Sequence, residues 1–221
     1  MKSQGQKAST ANYWWAIVSY IMISLPAMFF EKVSNVTKSS LFPYIVTILE
    51  IVMLLIVGRL LIGEMKSELK LFSKKIPVYS LYILLGIVSI IAWNIICNIV
   101  YYHPNVNARK FTTTANSAPL IMFIFGAILA PFLEELVFRK ALIAAFKSVF
   151  NSTILSILLS SLLFGLAHWD WAETALTSKA ELMGLLLRFG MGVILSILYL
   201  KAKNIFVPIG IHMAINLIAG V

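Results

Sequence analysis

Glu134 and Glu135 stand side by side inside an apolar stretch, APLIMFIFGAILAPFLEELVFRKALIAAF, residues 118–146. A carboxylate at the centre of a membrane helix costs at least about 2.5 kcal/mol, so two of them at such a depth point to use. On a helix, residues four apart share a face, which makes Arg139 the neighbour of Glu135. Glu134 is turned by about 100° from Glu135 and faces elsewhere. Pro131, just upstream, removes a backbone hydrogen bond and opens space beside the pair. Two later apolar runs carry the other reactive groups. SSLLFGLAHW (160–169) sets Phe164 and His168 four apart, and VPIGIHMAIN (207–216) does the same for His212 and Asn216. Two imidazoles, a carboxylate pair and a carboxamide are the parts needed to activate water and to stabilise an oxyanion.

The remaining polar groups in apolar runs read as structural. Asn94 and Asn98 are expected to bond a neighbouring helix. Glu50 and Arg59 are nine residues apart, too far for a pair along one helix. Glu50 is expected to pair with Arg188, and Arg59 to snorkel to the inner interface. The single cysteine, Cys97, reads as a small core residue, with no disulfide framework and no cysteine metal site. His103, beside Pro104 in a loop, carries little weight.

The elements that must position these groups follow from composition. Of 221 residues, 60% are hydrophobic and only 12% charged, with a mean hydropathy of +0.91. A soluble domain carries about twice that share of charge. The chain reads as an all-α, polytopic transmembrane bundle of about seven spans: residues 13–30, 41–63, 76–102, 118–138 with a continuation to 147, 152–169, 182–200 and 205–220. The alternating pattern of an outer-membrane barrel is absent. Residues 64–75, EMKSELKLFSKK, read as a short interfacial helix. Residues 103–117 and 170–181 read as the irregular loops. The first span reads as a retained anchor, since no small-residue cleavage site follows it. Within one continuous membrane domain, residues 1–117 supply three spans without a motif, and residues 118–221 supply four that carry the chemistry.

The net charge is +9, from 18 Lys and Arg against 9 Asp and Glu. The basic residues flank the spans, which suits anionic lipid headgroups; no aromatic-and-basic pattern points to nucleic acid. An inside N-terminus places eleven of them on the cytoplasmic side: Lys2, Lys7, Lys66, Lys70, Lys74, Lys75, Arg139, Lys140, Lys147, Lys201 and Lys203. Lys32, Lys38, Arg109, Lys110 and Lys179 fall outside. The expected arrangement in a plasma membrane is therefore N-terminus in and C-terminus out.

Three patterns occur in order along the second half. EELVFR (134–139) has the form E-E-x-x-x-R, FGLAH (164–168) the form F-x-x-x-H, and HMAIN (212–216) the form H-x-x-x-N. Over about residues 118–220 the chain resembles the CPBP family, the CAAX-protease-like and bacteriocin-processing-like (Abi) intramembrane proteases. The resemblance implies an endopeptidase acting on a membrane-associated peptide or protein. It implies Glu134 as the base that activates water, assisted by His168, with His212 and Asn216 stabilising the oxyanion. Glu135 and Arg139 would support the site, and Phe164 belongs to its second motif. The family has been read both as a metalloprotease and as a metal-free glutamate protease. Glu134, His168 and His212 are enough for an open zinc site with water in the fourth position; the metal-free scheme, which uses the same residues, is preferred.

The chemistry sets a condition on the fold. Short upright spans would leave Glu134 near one face of the membrane and His168 near the other. A single long fourth helix from about 118 to 147 brings Glu134 to mid-depth, and this is the expectation. Two other classes of function fit the same composition. One is a non-enzymatic immunity or scaffold protein. The other is a proton-coupled transporter using the intramembrane Glu and His groups, for which no internal repeat is visible.

Overall fold

The computed structural model describes residues 8–37, 42–100, 119–169 and 179–219, and every element among them is helical. Seven helical rods follow in order. They are α1 (Thr10–Thr37), α2 (Phe42–Lys74), α3 (Ile76–Val100), α4 (residues 119–150), α5 (Thr153–Leu166), α6 (Lys179–Ala202) and α7 (Phe206–Ala219). By length and composition α2, α3 and α6 can each cross a membrane, while α5 and α7 are shorter apolar helices. Large apolar side chains on the outside, such as Leu55, Leu84, Val88, Ile95 and Leu162, are exposed. An apolar surface of that extent belongs against lipid, and the molecule is an all-α membrane helical bundle.

Long α4 is the axis of the bundle. It runs without interruption through Pro119–Ile124, a π-helical turn at Phe125–Leu129, Ala130–Glu134, a second π-helical stretch at Glu135–Leu142, and Ile143–Phe150. Around it pack α1, α2, α5 and α7. Tyr13, Ile17, Met53, Val57, Leu61, Leu133, Leu136, Val137, Phe164 and Ile209 form the core between them. A second core, of Tyr79, Ile90, Leu195, Val207 and Ile211, joins α3, α6 and α7. α7 lies in both, so its position is fixed from two sides.

The turns follow from local sequence. Asn151 ends α4 in the left-handed conformation, with φ 51°, which asparagine tolerates well. Ser152 then caps α5 by accepting from the Leu155 N–H at 3.3 Å. At the α6–α7 turn Lys203 takes the same left-handed form. Small residues let α5 and α6 approach closely: a Cβ added at Gly192 would lie 2.9 Å from the Ser161 Cβ.

Several expectations change. Residues 64–75 are not a separate interfacial helix: nothing breaks the helix, and α2 continues to Lys74. Arg139 and Lys140 are fully buried inside α4 and are not loop charges. Removing them leaves nine basic residues against five in the orientation count. α5 stops at Leu166, where the backbone tightens: the His168 N–H bonds the Gly165 carbonyl and the Trp169 N–H that of Leu166. His168 therefore sits just beyond the helix rather than within it. Lys179 and Glu181, placed in a loop by the sequence, open α6. Asn98, which is exposed, donates to the Asn94 carbonyl of its own helix at 2.8 Å. Cys97 is buried, as a core residue is. His103, Arg109 and Lys110, with loop residues 103–117 and 170–178, lie outside the described residues, and so does Lys38.

Candidate active site

Glu134 and Glu135 leave α4 in different directions at the junction of its α and π segments. π-Helical stretches are rare and concentrate at functional sites. Glu134 faces two histidines. Its Oε1 lies 3.5 Å from His168 Nε2, and its Oε2 lies 3.8 Å from His212 Nε2. Glu135 is fully buried and meets both Arg139, at 3.1 Å from Oε2 to Nε, and His212, at 2.8 Å from Oε1 to Nδ1. His212 thus stands between the two carboxylates, touching each with one ring nitrogen. The sequence pairs Glu135 with Arg139 alone; the second contact crosses between helices 77 positions apart and leaves no periodic signal.

The outward sides of the imidazoles fix their hydrogens. His168 Nδ1 is 2.9 Å from the Phe164 carbonyl. A carbonyl can only accept, so Nδ1 carries the hydrogen, and in the neutral ring Nε2 presents a lone pair to Glu134. His212 Nδ1 donates in the same way to the Glu135 carboxylate. At 3.5 and 3.8 Å the carboxylate and the two imidazoles converge on one space without a close direct hydrogen bond.

Phe164 is the wall of the site. Its ring makes edge contacts with His168 and His212, at centroid distances of 5.1 and 5.8 Å, and with Phe138 at 5.3 Å. The Arg139 guanidinium lies 4.2 Å above its centroid. This cation–π contact matters because Arg139 is otherwise poorly served. Among the described residues Nη1 and Nη2 have no hydrogen-bond acceptor, and although Nε is close to Glu135, the N–H is not aligned as a hydrogen bond. Charge attraction and the Phe164 face hold this buried cation.

Asn216 lies one turn beyond His212 on α7. Its Nδ2 donates to the Gly126 carbonyl of α4 at 2.8 Å. That carbonyl needs an outside donor. In the first π turn the Ala130 N–H bonds Phe125, five residues back, so Gly126 would be served next by residue 131. Residue 131 is proline and has no N–H. Asn216 fills the gap and ties α7 to α4, an attachment visible only once the π register is known.

Glu50 does not pair with Arg188 as expected. Its Oε2 is buried without a hydrogen-bond partner, in the field of Glu134. Arg188 lies in the fields of Glu181 and Glu134. The expected zinc donors are of the right kind, with each imidazole's far nitrogen engaged as in many metal sites. Among the described residues no three His, Cys, Asp or Glu side chains form a group that could hold a metal ion.

Residues 116–218 match the family described as Type II CAAX prenyl endopeptidase Rce1-like. The chain is similar to the membrane-embedded CAAX protease MroQ of Staphylococcus aureus (strain USA300), with 32% identity over 165 residues. That match takes in 68% of this chain and 61% of the relative, so the chain spans under two thirds of that protein's length. It is also similar to YdiL of Bacillus subtilis (strain 168), named as a membrane peptidase. There the identity is 26% over 223 residues, taking in 93% of this chain and 86% of the relative. No solved structure matches.

Proposed function

We infer that this chain, which belongs to the Rce1-like CAAX-protease family within CPBP, is an intramembrane endopeptidase that cleaves a peptide bond of a membrane-associated substrate with water activated by Glu134. The observation that carries the reading is the facing of one carboxylate by two imidazole Nε2 atoms, at 3.5 and 3.8 Å, in a low-dielectric site. A water seated against Glu134 and His168 finds two acceptors for its hydrogens, the carboxylate and the bare Nε2.

The reaction then balances through a single proton. As the water oxygen attacks the substrate carbonyl, Glu134 takes the proton. The new oxyanion is met by His212 Nε2–H, the other ring nitrogen donating to Glu135, and by the second amide hydrogen of Asn216. When the tetrahedral carbon collapses, Glu134 returns its proton to the departing amine. General base action of this kind contributes about 10²–10⁴ in rate, and each oxyanion donor about 10²–10³. Arg139 acts behind Glu135, and Phe164 holds both imidazoles edge-on.

The scheme is metal-free and uses no group beyond the chain and water. Membranes carrying wild-type protein should contain a peptide fragment that is missing when Glu134→Ala replaces it at equal abundance. Persistence of the fragment in the variant would remove the protease reading and leave a non-enzymatic role. Metal analysis of the purified active protein checks the other half; stoichiometric zinc that activity requires would overturn it.

A further inference from the structure

Outside the site, a second buried polar cluster gathers four parts of the chain. Lys140 of α4 is 1% exposed. Its Nζ lies 2.9 Å from Glu64 Oε2 and pairs with Glu68 Oε1, both carboxylates belonging to the last turns of α2. Glu64 Oε1 also accepts from the Tyr13 hydroxyl at 2.5 Å and from the Ala8 N–H at 2.6 Å. Glu68 Oε2 accepts from the Ile205 N–H at 2.6 Å, at the foot of α7. The Glu68 carbonyl accepts from Asn204 Nδ2 at 2.7 Å, in the same turn. No step of the proposed reaction uses any of these groups.

One carboxylate therefore holds two helices, α4 at Lys140 and α7 at its start, one oxygen each. From Lys140 it is six residues back along α4, through its second π-helical stretch, to Glu134. From Ile205 it is seven residues along α7 to His212, about 10 Å at 1.5 Å per residue. The carboxylate of the site and the imidazole that must meet it each lie within about two turns of a common anchor.

We propose that Glu68 is a positioning residue, which sets the register of α4 against α7 and so the approach of His212 to Glu134 and Glu135, with Glu64 holding Lys140 in place. The geometry suits the task. Sliding helices past one another costs little where the contact is apolar and unspecific. A charged oxygen bonded to a buried ammonium, with its twin bonded to a backbone N–H, allows one height only. The α6–α7 turn is tied by Asn204 to the same residue, so α7 can neither rise nor fall without breaking both bonds. A displacement of about 1 Å at a reacting centre can cost about 10²-fold in rate.

This inference rests on the protease reading for its kinetic consequence but not for its structural one, and two readouts separate them. In a Cys97→Ser background, nitroxide labels at Val149 of α4 and Leu217 of α7, both exposed, report the α4–α7 distance in proteoliposomes by pulsed electron resonance. Glu68→Ala should shift or broaden that distance. It should also lower kcat by about 100-fold, with KM unchanged, on the membrane peptide whose fragment is lost in Glu134→Ala. Glu68→Gln keeps the volume and the acceptor for Ile205 while losing the charge, and should fall between, which covers a failure of the alanine variant to fold. Glu68→Lys with Lys140→Glu restores an ion pair but leaves the Ile205 N–H without its acceptor. It should stay displaced and slow. An unchanged distance in Glu68→Gln and Glu68→Ala, an unchanged kcat despite a shifted distance, or full recovery in the swapped pair would each overturn the proposal. If cleavage proves independent of Glu134, the distances alone decide it.

Discussion

At the scale of single residues, two neighbouring glutamates carry unequal burdens. Glu134 keeps 14% of its side chain exposed and faces the His168 and His212 imidazoles, whereas Glu135 is wholly buried between Arg139 and His212. Their substitutions should therefore fail differently. Glu135→Gln leaves the Arg139 charge buried without compensation, in a guanidinium that already lacks acceptors at Nη1 and Nη2. Breaking a buried pair in this way costs about 3–5 kcal/mol, which thermal unfolding in detergent will show. Replacing both partners, Glu135→Met with Arg139→Met, removes the uncompensated charge and should recover part of that loss, the remainder reflecting the buried His212 Nδ1–H left without its acceptor. It should not recover cleavage, because His212 Nδ1 then has no acceptor. Recovery of cleavage in the double variant would show that Glu135 does nothing beyond neutralising Arg139.

At the scale of elements, α4 matters through its irregularities. A regular helix over residues 119–150 would serve the Gly126 carbonyl through its own backbone. The π turn followed by Pro131 leaves that carbonyl to Asn216. The coupling is measurable. Asn216→Ala should cost about 1 kcal/mol or more, since a buried acceptor loses its donor. In a Pro131→Ala background, where an N–H returns at position 131, the same substitution should cost markedly less. A double-mutant cycle on unfolding free energy reads the difference. Equal costs in the two backgrounds would mean that Asn216 does not replace the missing proline N–H. The length of α4 was legible in advance, because the apolar run 118–147 and the need to bring Glu134 to the depth of His168 both demand it. Its π register was not, since no local propensity distinguishes five-residue hydrogen bonding from four.

At the scale of the whole molecule, the first three helices are more than an anchor. They carry no motif, yet α1 and α2 supply Tyr13, Ala16, Met53, Val57 and Leu61 to the core around α4. They also supply both acceptors of buried Lys140. Residues 118–221 expressed alone should therefore fail to accumulate in membranes as a folded protein, because Lys140 would be buried without an acceptor and one side of α4 would lose its packing. Co-expression of residues 1–117 should restore it, as read by resistance to added protease. Stable accumulation of the C-terminal half by itself would show that the motif-bearing helices form a self-sufficient unit.

What the sequence determined by itself is what depends on solvent and on local geometry. Low charge and long apolar runs require helices in lipid, and the four-residue spacings bring Glu135 to Arg139, Phe164 to His168 and His212 to Asn216. The chemistry to be sought at Glu134, His168 and His212 was readable from their types, because charge at such depth is too costly to be idle. Only the tertiary structure decided which helices meet and at what height. It placed His212 between both glutamates, gave Asn216 to Gly126, moved Lys140 from an expected surface loop into a buried clasp, and left Glu50 without Arg188. Contacts between helices many positions apart depend on register and rotation, and both are set by the sum of many weak packing contacts. No periodicity along a single chain records that sum.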